Sequence, residues 1–545
     1  MKTIAILEVD LVRTPLGTRS RLSDPMHGRP LLVRTLERIA QAKRLAECHI
    51  VCPDDQAGRC QSLLEGVAVR IHGHQSSPPP YRELTRVGRK WSLDAWRGGI
   101  GGVCAVDEYT HCPLFAGLAT QLGADAVWTA PPASPLVDPR LIDEMIAHYE
   151  SSPLEMRLVF AQAPPGLTGV ILQTGLLAEL AEKRTSPGWV LAYKPDAPAM
   201  DLALKECCFP TSQNVRHAAG RLVADTDRSW KRVGDLIQSA TDEHLDADTV
   251  GERLMAYEAD ELPQIPREVE IELTTDDQLP STLLRPRGPA DVGSRGPLDV
   301  ELIRTLAEEM GTVDDSRVVL GGFGEPLLHP EFAEIVSILR QAGIYAIAVN
   351  TNGLALDDAI AGALLDARVD VVSVFLDAAS GETYRSLQGH DGFEAAKQGI
   401  ERLAAARVDR HQVAPVTVAQ LTKVRANLPE MESFVDGWLR RGIWPNVVGY
   451  SHRAGQCPER AVMSMAPPVR VACRRLSSRL MVLADGTVTA CEQDYAGKHA
   501  VGRLSTQGIG HIWRGAAMTT LRASHRSGAY DALELCRGCD EWHRP

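Results

Sequence analysis

The sequence predicts an α/β protein in three pieces: a β-α-β region over residues 1–237, a partial, open (β/α)6 barrel over 269–460 and a small cysteine-rich tail over 461–545. Three observations carry this expectation. Short apolar segments alternate with amphipathic ones through both halves, the rhythm of strands joined by helices. An acidic helical stretch, Ser239 to Leu262, ends in Pro263 and Pro266 and separates the halves as a linker over 238–268. After Ala461 the composition changes and Cys473, Cys491, Cys536 and Cys539 collect in the tail.

A chain of 545 residues, 44% apolar, has room for two to four domains at about 100–200 residues each. Its formal net charge of -12 argues against non-specific binding to nucleic acid or anionic membrane, which needs basic surfaces. The first residues, MKTIAILEVD, read as a strand, because Glu8 and Asp10 interrupt the apolar run; they do not read as a signal peptide. No run approaches the length of a membrane span. Twelve cysteines without an export signal favour reduced thiols or metal ligands over disulfides, so a cytoplasmic location is expected.

In order along the first half, strands are expected at Ile4–Val9, His49–Pro53 and Ala126–Ala130, with helices at Pro30–Ala46 and Asp138–Tyr149. Asp138 ahead of Pro139 has the form of a helix N-cap. The polar, proline-rich Gln75–Pro80 and the glycine-dense Trp96–Gly102 mark an insertion. His72 and His74 adjoin that loop without an acidic or thiol neighbour and read as solvated; Cys207 and Cys208 read as buried thiols.

In the second half, six strands are expected at Val269–Thr274, Arg317–Leu320, Tyr345–Asn350, Asp370–Leu376, Val413–Gln420 and Asn446–Gly449. Helices lie between them at Asp299–Met310, Glu331–Ala342, Asp357–Ala367, Gly392–Ala406 and Pro429–Arg441. Chemistry in such a barrel sits at the C-terminal strand ends, where the turn Gly321-Gly322-Phe323-Gly324-Glu325-Pro326 falls. Its glycines either make a tight turn or let backbone amides approach a ligand. Trp438 and Trp444 read as barrel core.

Cys473 and Cys491 flank a hairpin with an Asp485-Gly486 turn, and Cys536-x2-Cys539 places two sulfurs about one centre. Four thiolates suit either a tetrahedral zinc ion or one 4Fe-4S cluster; buried structural thiols are the plainer alternative.

The tail, with CRRL, LADGTVTACEQD, RASHRSG and CRGCDEWHRP, resembles the SPASM/Twitch extension of radical S-adenosylmethionine (SAM) proteins. That resemblance implies an auxiliary 4Fe-4S cluster on Cys473, Cys491, Cys536 and Cys539. Residues 269 to 542 as a whole resemble the radical SAM family. The GGxGEP turn then implies SAM contacts from Gly321, Gly322, Gly324 and Glu325, and Asn352 and Asp377 fall in later strand-end motifs. The departure is decisive for chemistry: the family's Cys-x3-Cys-x2-Cys loop falls on Asp277, Ser281 and Leu284, and no cysteine occurs between Cys208 and Cys457. An iron-sulfur cluster needs soft sulfur donors, so reductive cleavage of SAM is not expected.

Gly17-Thr18-Arg19-Ser20-Arg21 followed by Gly28-Arg29-Pro30 resembles the opening of cytidylyltransferase-type nucleotidyltransferases, with a Rossmann-like GT-A fold. The resemblance implies phosphate contacts from Arg19 and Arg21. It is broken where the family's magnesium-binding aspartate falls on Ala133, and no lysine stands between Lys2 and Lys43; Asp225 matches the second acidic position. The whole arrangement resembles spiro-SPASM proteins and related fusions. The loss of catalytic residues in both halves leads to the expectation of a degenerate scaffold with one tail cluster, a SAM or nucleotide pocket, and a binding, regulatory or electron-transfer role toward a protein or small-molecule partner. The competing expectation is an enzyme, transferring a nucleotide in the first half or using SAM without radicals in the barrel.

Overall fold

A strand covered on both faces reads as an unbroken apolar run, and Thr3–Glu8 (TIAILE) is buried along almost its whole length at the centre of the first sheet. The computed structural model describes every residue except 99, 199, 239–244, 261–262, 281–283 and 545, in two compact units, Met1–Glu261 and Leu262–Pro545. Ser281, and Ser239 and Leu262 at the ends of the expected linker helix, lie outside the described residues.

The sheet of the first unit has seven strands in the order Arg70–His74, Cys48–Pro53, Thr3–Glu8, Ala126–Thr129, Val170–Gln173, Leu158–Ala161, Cys208–Phe209. The first four run parallel; Val170–Gln173 is antiparallel to both its neighbours. Leu31, Leu36 and Ile39 of helix Leu31–Ile39 fill one face of this sheet, and the helix stops short of the expected Ala46. Asp138 caps helix Pro139–Ser151 as expected, accepting from Arg140 N at 2.8 Å, and also accepts from Ala247 N at 2.7 Å.

Two local readings change. His72 and His74 lie on an edge strand paired with Cys48–Pro53, and His72 Nε2 is 3.0 Å from His49 Nδ1; RIHGH has no apolar alternation, so its pairing was invisible locally. The segment read as a linker continues the first unit: helix Ala247–Asp260 buries Val250 and Leu254 in the same core as Leu31 and Leu36.

In the second unit six parallel strands follow chain order: Glu268–Glu272, Arg317–Gly321, Ala346–Thr351, Val371–Phe375, Val416–Lys423 and Trp444–Gly449. Each lies within three residues of its expected position. Asp299, Asp357 and Ser380 cap the helices that follow them by accepting backbone N–H groups of the first turn, each worth about 1 kcal/mol. Trp438 is buried in the core beside Phe434, while Trp444 is half-buried on the sixth strand.

The tail does not hang off this barrel. Arg479–Val482 pairs in parallel with the first barrel strand, Glu268 opposite Arg479 through Ile271 opposite Val482. Thr487–Thr489 and Ala500–Arg503 extend the same sheet antiparallel, to nine strands. Glu309 accepts from the first N–H groups of tail helix Ile509–Arg514 at 3.2 and 3.0 Å, and the buried Trp513 indole donates to Pro263 O at 2.9 Å.

Candidate functional site

The hairpin and the short helix Glu534–Arg537 bring all four tail cysteines to one cavity of about 100 Å³. Its walls are largely apolar, with Leu476, Leu521 and Trp542 among them. Among the described residues, no three of these cysteines hold their sulfurs mutually within 4.8 Å. Four thiols about one cavity suit either a tetrahedral zinc ion or one 4Fe-4S cluster. Glu541 N donates to Cys539 Sγ at 3.3 Å, a bond of the kind that tunes a ligating sulfur. Burial pushes Cys536 up to about 11 and Cys539 to about 12, and holds Cys491 well above its usual range. Deprotonation there needs a bound cation. Arg475, buried beside them, is held by Glu492 and Glu541.

At the barrel mouth the expected SAM contacts are used within the protein. Gly322 has φ +87°, and a Cβ on Gly324 would stand 2.1 Å from the Thr274 carbonyl oxygen, so the glycines serve close packing of the turn on the first strand. Gly321 lies directly against Asn350. Glu325, 1% exposed, accepts from Thr351 Oγ1 at 2.6 Å, Asn352 N at 2.7 Å and Leu327 N at 3.2 Å. Asp377, at φ 59°, accepts from Thr422 N and Gln388 Nε2.

Where the first cluster cysteine would stand, Asp277 pairs with Arg287 at 3.0 Å, with the two side chains 2% and 4% exposed. Asn352 Nδ2 donates to the same carboxylate at 3.0 Å. Leu284 packs with Leu387, Val424 and Tyr450. Arg285 lies 3.4 Å from the Phe375 ring centroid. These side chains leave a void of about 10 Å³, room for about one water. The donor set does not fit an iron-sulfur cluster.

Burial raises Glu325 to about 7, against the three hydrogen bonds it accepts. A carboxyl raised in the folded state holds its proton there between the unfolded and folded values. Its stabilisation is complete below the ordinary carboxyl range and is lost as pH rises through about 7. Glu325→Gln, which stays neutral, is therefore expected to flatten the fall in Tm between about pH 5 and 7 relative to the parent. Thermal melts across that window check this; identical slopes would contradict it.

The first unit has a cavity of about 220 Å³ at the C-terminal end of its central strand, lined by Glu8, Asp10, Arg13, Arg86, Ala133 and Asp225 among others. Asp225 is not open to a cation: Arg221, 2% exposed, donates to it at 2.7 Å and to Glu108 at 2.7 Å. Glu108 also accepts from Arg89 Nε at 2.6 Å. Arg21 lines the cavity and donates to Asp225 O at 3.0 Å. Arg19 does not line it; its exposed guanidinium grips Asp24.

The residues that fill both mouths, Arg221, Glu108, Arg285 and Arg287, escaped the sequence reading. The run Arg285-Pro286-Arg287 just beyond the missing cysteines was the available signal; Arg221 and Glu108, 113 residues apart, had none.

Residues 237–423 match the family model of the radical SAM superfamily, and residues 473–540 match the SPASM iron-sulfur cluster-binding domain. An uncharacterised protein of Treponema pallidum (strain Nichols) is 28% identical over 296 residues, which are 52% of this chain and 80% of that one. A probable GTP 3',8-cyclase of Methanothermobacter marburgensis is 28% identical over 188 residues, and the match spans 34% of this chain and 58% of the cyclase. Among solved structures, a cytidylyltransferase from Leptospira borgpetersenii is similar with TM-score 0.32 and 13% identity, covering 47% of this chain and 94% of that one. The chain thus carries a radical SAM segment, most of it in the second unit, followed by an iron-sulfur cluster-binding domain. Among the described residues no helix is long and apolar enough to cross a membrane.

Proposed function

We propose that this chain is a degenerate radical SAM/SPASM protein that holds one auxiliary 4Fe-4S cluster on Cys473, Cys491, Cys536 and Cys539, does not cleave SAM reductively, and serves in binding, regulation or electron transfer. The observation that carries the reading is the buried Asp277–Arg287 pair where a cluster ligand would stand, with a remaining void of about 10 Å³. Reductive cleavage requires SAM to meet iron; a carboxylate neutralised by a guanidinium offers neither soft donor nor electron path. The first half fits a cytidylyltransferase-like domain whose metal site is likewise closed, with Arg221 standing against Asp225 where magnesium would be held.

Anaerobic purification with iron and sulfide analysis, followed by dithionite and SAM, tests this. About four irons per chain and no 5'-deoxyadenosine are expected; about eight irons, or 5'-deoxyadenosine above the protein-free control, would overturn it.

A further inference from the structure

At one edge of the first unit's sheet, toward the N-terminal ends of the two outermost strands, two imidazoles meet. His49 is fully buried on Cys48–Pro53, and the half-buried His72 lies on the edge strand Arg70–His74. His49 Nδ1 stands 3.0 Å from His72 Nε2, with the rings tilted by 38° and their centroids 5.2 Å apart. On its other side, His49 Nε2 stands 3.3 Å from Glu47 Oε2. That carboxylate is held in turn by Arg70 Nη1 at 2.9 Å and by Lys2 Nζ at 3.5 Å.

Glu47 decides which nitrogen of His49 carries the proton. A neutral imidazole has one N–H and one electron pair. A pair on Nε2 would face the carboxylate, so the proton belongs on Nε2 and the pair on Nδ1, where it points at His72. A carboxylate placed in this way is the usual partner of a metal-bound histidine, fixing its tautomer and ring orientation. Burial lowers both rings from the ordinary histidine value, with His72 adding to the effect on His49 and Arg70 to that on His72. Both are therefore neutral near pH 7, the form that ligates metals. Two ring nitrogens 3.0 Å apart need a positive centre between them. Without a metal that centre is a proton on His72 Nε2; a cation takes its place once that proton sits on His72 Nδ1 instead, on the half-buried ring that water can reach.

We propose that His49 Nδ1 and His72 Nε2 chelate a divalent transition-metal ion of the copper or nickel class, with Glu47 orienting His49 and water completing the coordination. The spacing selects the class. With metal–nitrogen bonds of about 2.0–2.1 Å, donors 3.0 Å apart subtend about 95° at the ion, well below the tetrahedral angle and close to that between neighbouring ligands in tetragonal coordination. Imidazole donors also exclude magnesium and calcium, which take oxygen. The inference does not depend on what the tail cysteines hold, so either reading can fail without the other.

Isothermal titration of nickel chloride into the full chain, free of any histidine tag and with its tail cysteines loaded with iron, tests it. The parent should bind nickel, and excess magnesium should not compete. E47Q, which disturbs only the orienting carboxylate, should weaken binding about tenfold, and H72A, which removes a ligand, by at least as much. H72A is chosen over a change at the fully buried His49, and matching melting temperatures exclude misfolding as the cause. H74A is the contrast: His74 lies on the same strand but its ring neighbour is His111, so nickel affinity should stay at the parent value. Absence of nickel binding, competition by magnesium, unchanged affinity in H72A, or an equal loss in H74A would overturn the proposal.

Discussion

Arg221→Ala is expected to lower the stability of the N-terminal unit by about 3–5 kcal/mol, the cost of leaving buried charges without their partner. Arg221 is 2% exposed and holds two carboxylates, Glu108 and Asp225, that are themselves buried. Burial opposes ionisation of Glu108, and Arg221 with Arg89 nevertheless keeps it below the usual carboxylate range. Removing Arg221 takes away that compensation and leaves Asp225 facing the cavity as an uncompensated anion. Urea unfolding of the parent, R221A and the triple variant E108Q/R221M/D225N measures the effect. The triple variant, which removes charge on both sides, should regain most of the loss, since replacing a whole buried network by neutral groups is often close to cost-free. Arg19→Ala gives the contrast: its pair with Asp24 is exposed and should be worth less than about 1 kcal/mol. A loss below about 1 kcal/mol for R221A would mean that water reaches this network.

Serine in place of Cys473, Cys491, Cys536 or Cys539 should drop iron from about four per chain to well below one and bleach the protein, because a protonated hydroxyl is no substitute for thiolate on iron. Cys457→Ser is the control, since Cys457 does not line the cavity. The loss should reach stability as well. An empty cavity of about 100 Å³ corresponds to about 2 kcal/mol at the usual cost per unit of void, beyond the binding free energy that the cluster contributes to folding. Iron and zinc analysis together with thermal melts check both parts. Retention of iron in all four variants would reject the ligand assignment, and one equivalent of zinc in the parent would reject the cluster.

Most of the second half could be read locally because its signals are local. Strands such as Val371–Phe375 are valine-rich, and caps such as Asp299 stand one residue ahead of their helices. The missing cysteines at Asp277 and Leu284 were equally plain. What replaced them was not, because the Arg287 side chain meets Asp277, ten residues earlier, only in the folded structure. The first half was harder for the same reason. Glu108 and Arg221 are joined by tertiary structure alone, and Arg19, set in the motif that resembles a phosphate loop, turns to Asp24 five residues on. Ala247–Asp260 looked like a linker because it is acidic and ends near two prolines, yet Val250 and Leu254 lie on its buried face.

The parallel pairing of Arg479–Val482 with Glu268–Glu272 makes the tail the selvage of the barrel. Cut away before residue 462, the barrel would present Glu268–Glu272 as a bare margin, with backbone donors and acceptors along one side open to any passing strand. The two regions therefore stand or fall as one cooperative body, and damage to the sulfur-lined chamber is felt in the first strand of the barrel without any ligand passing between them.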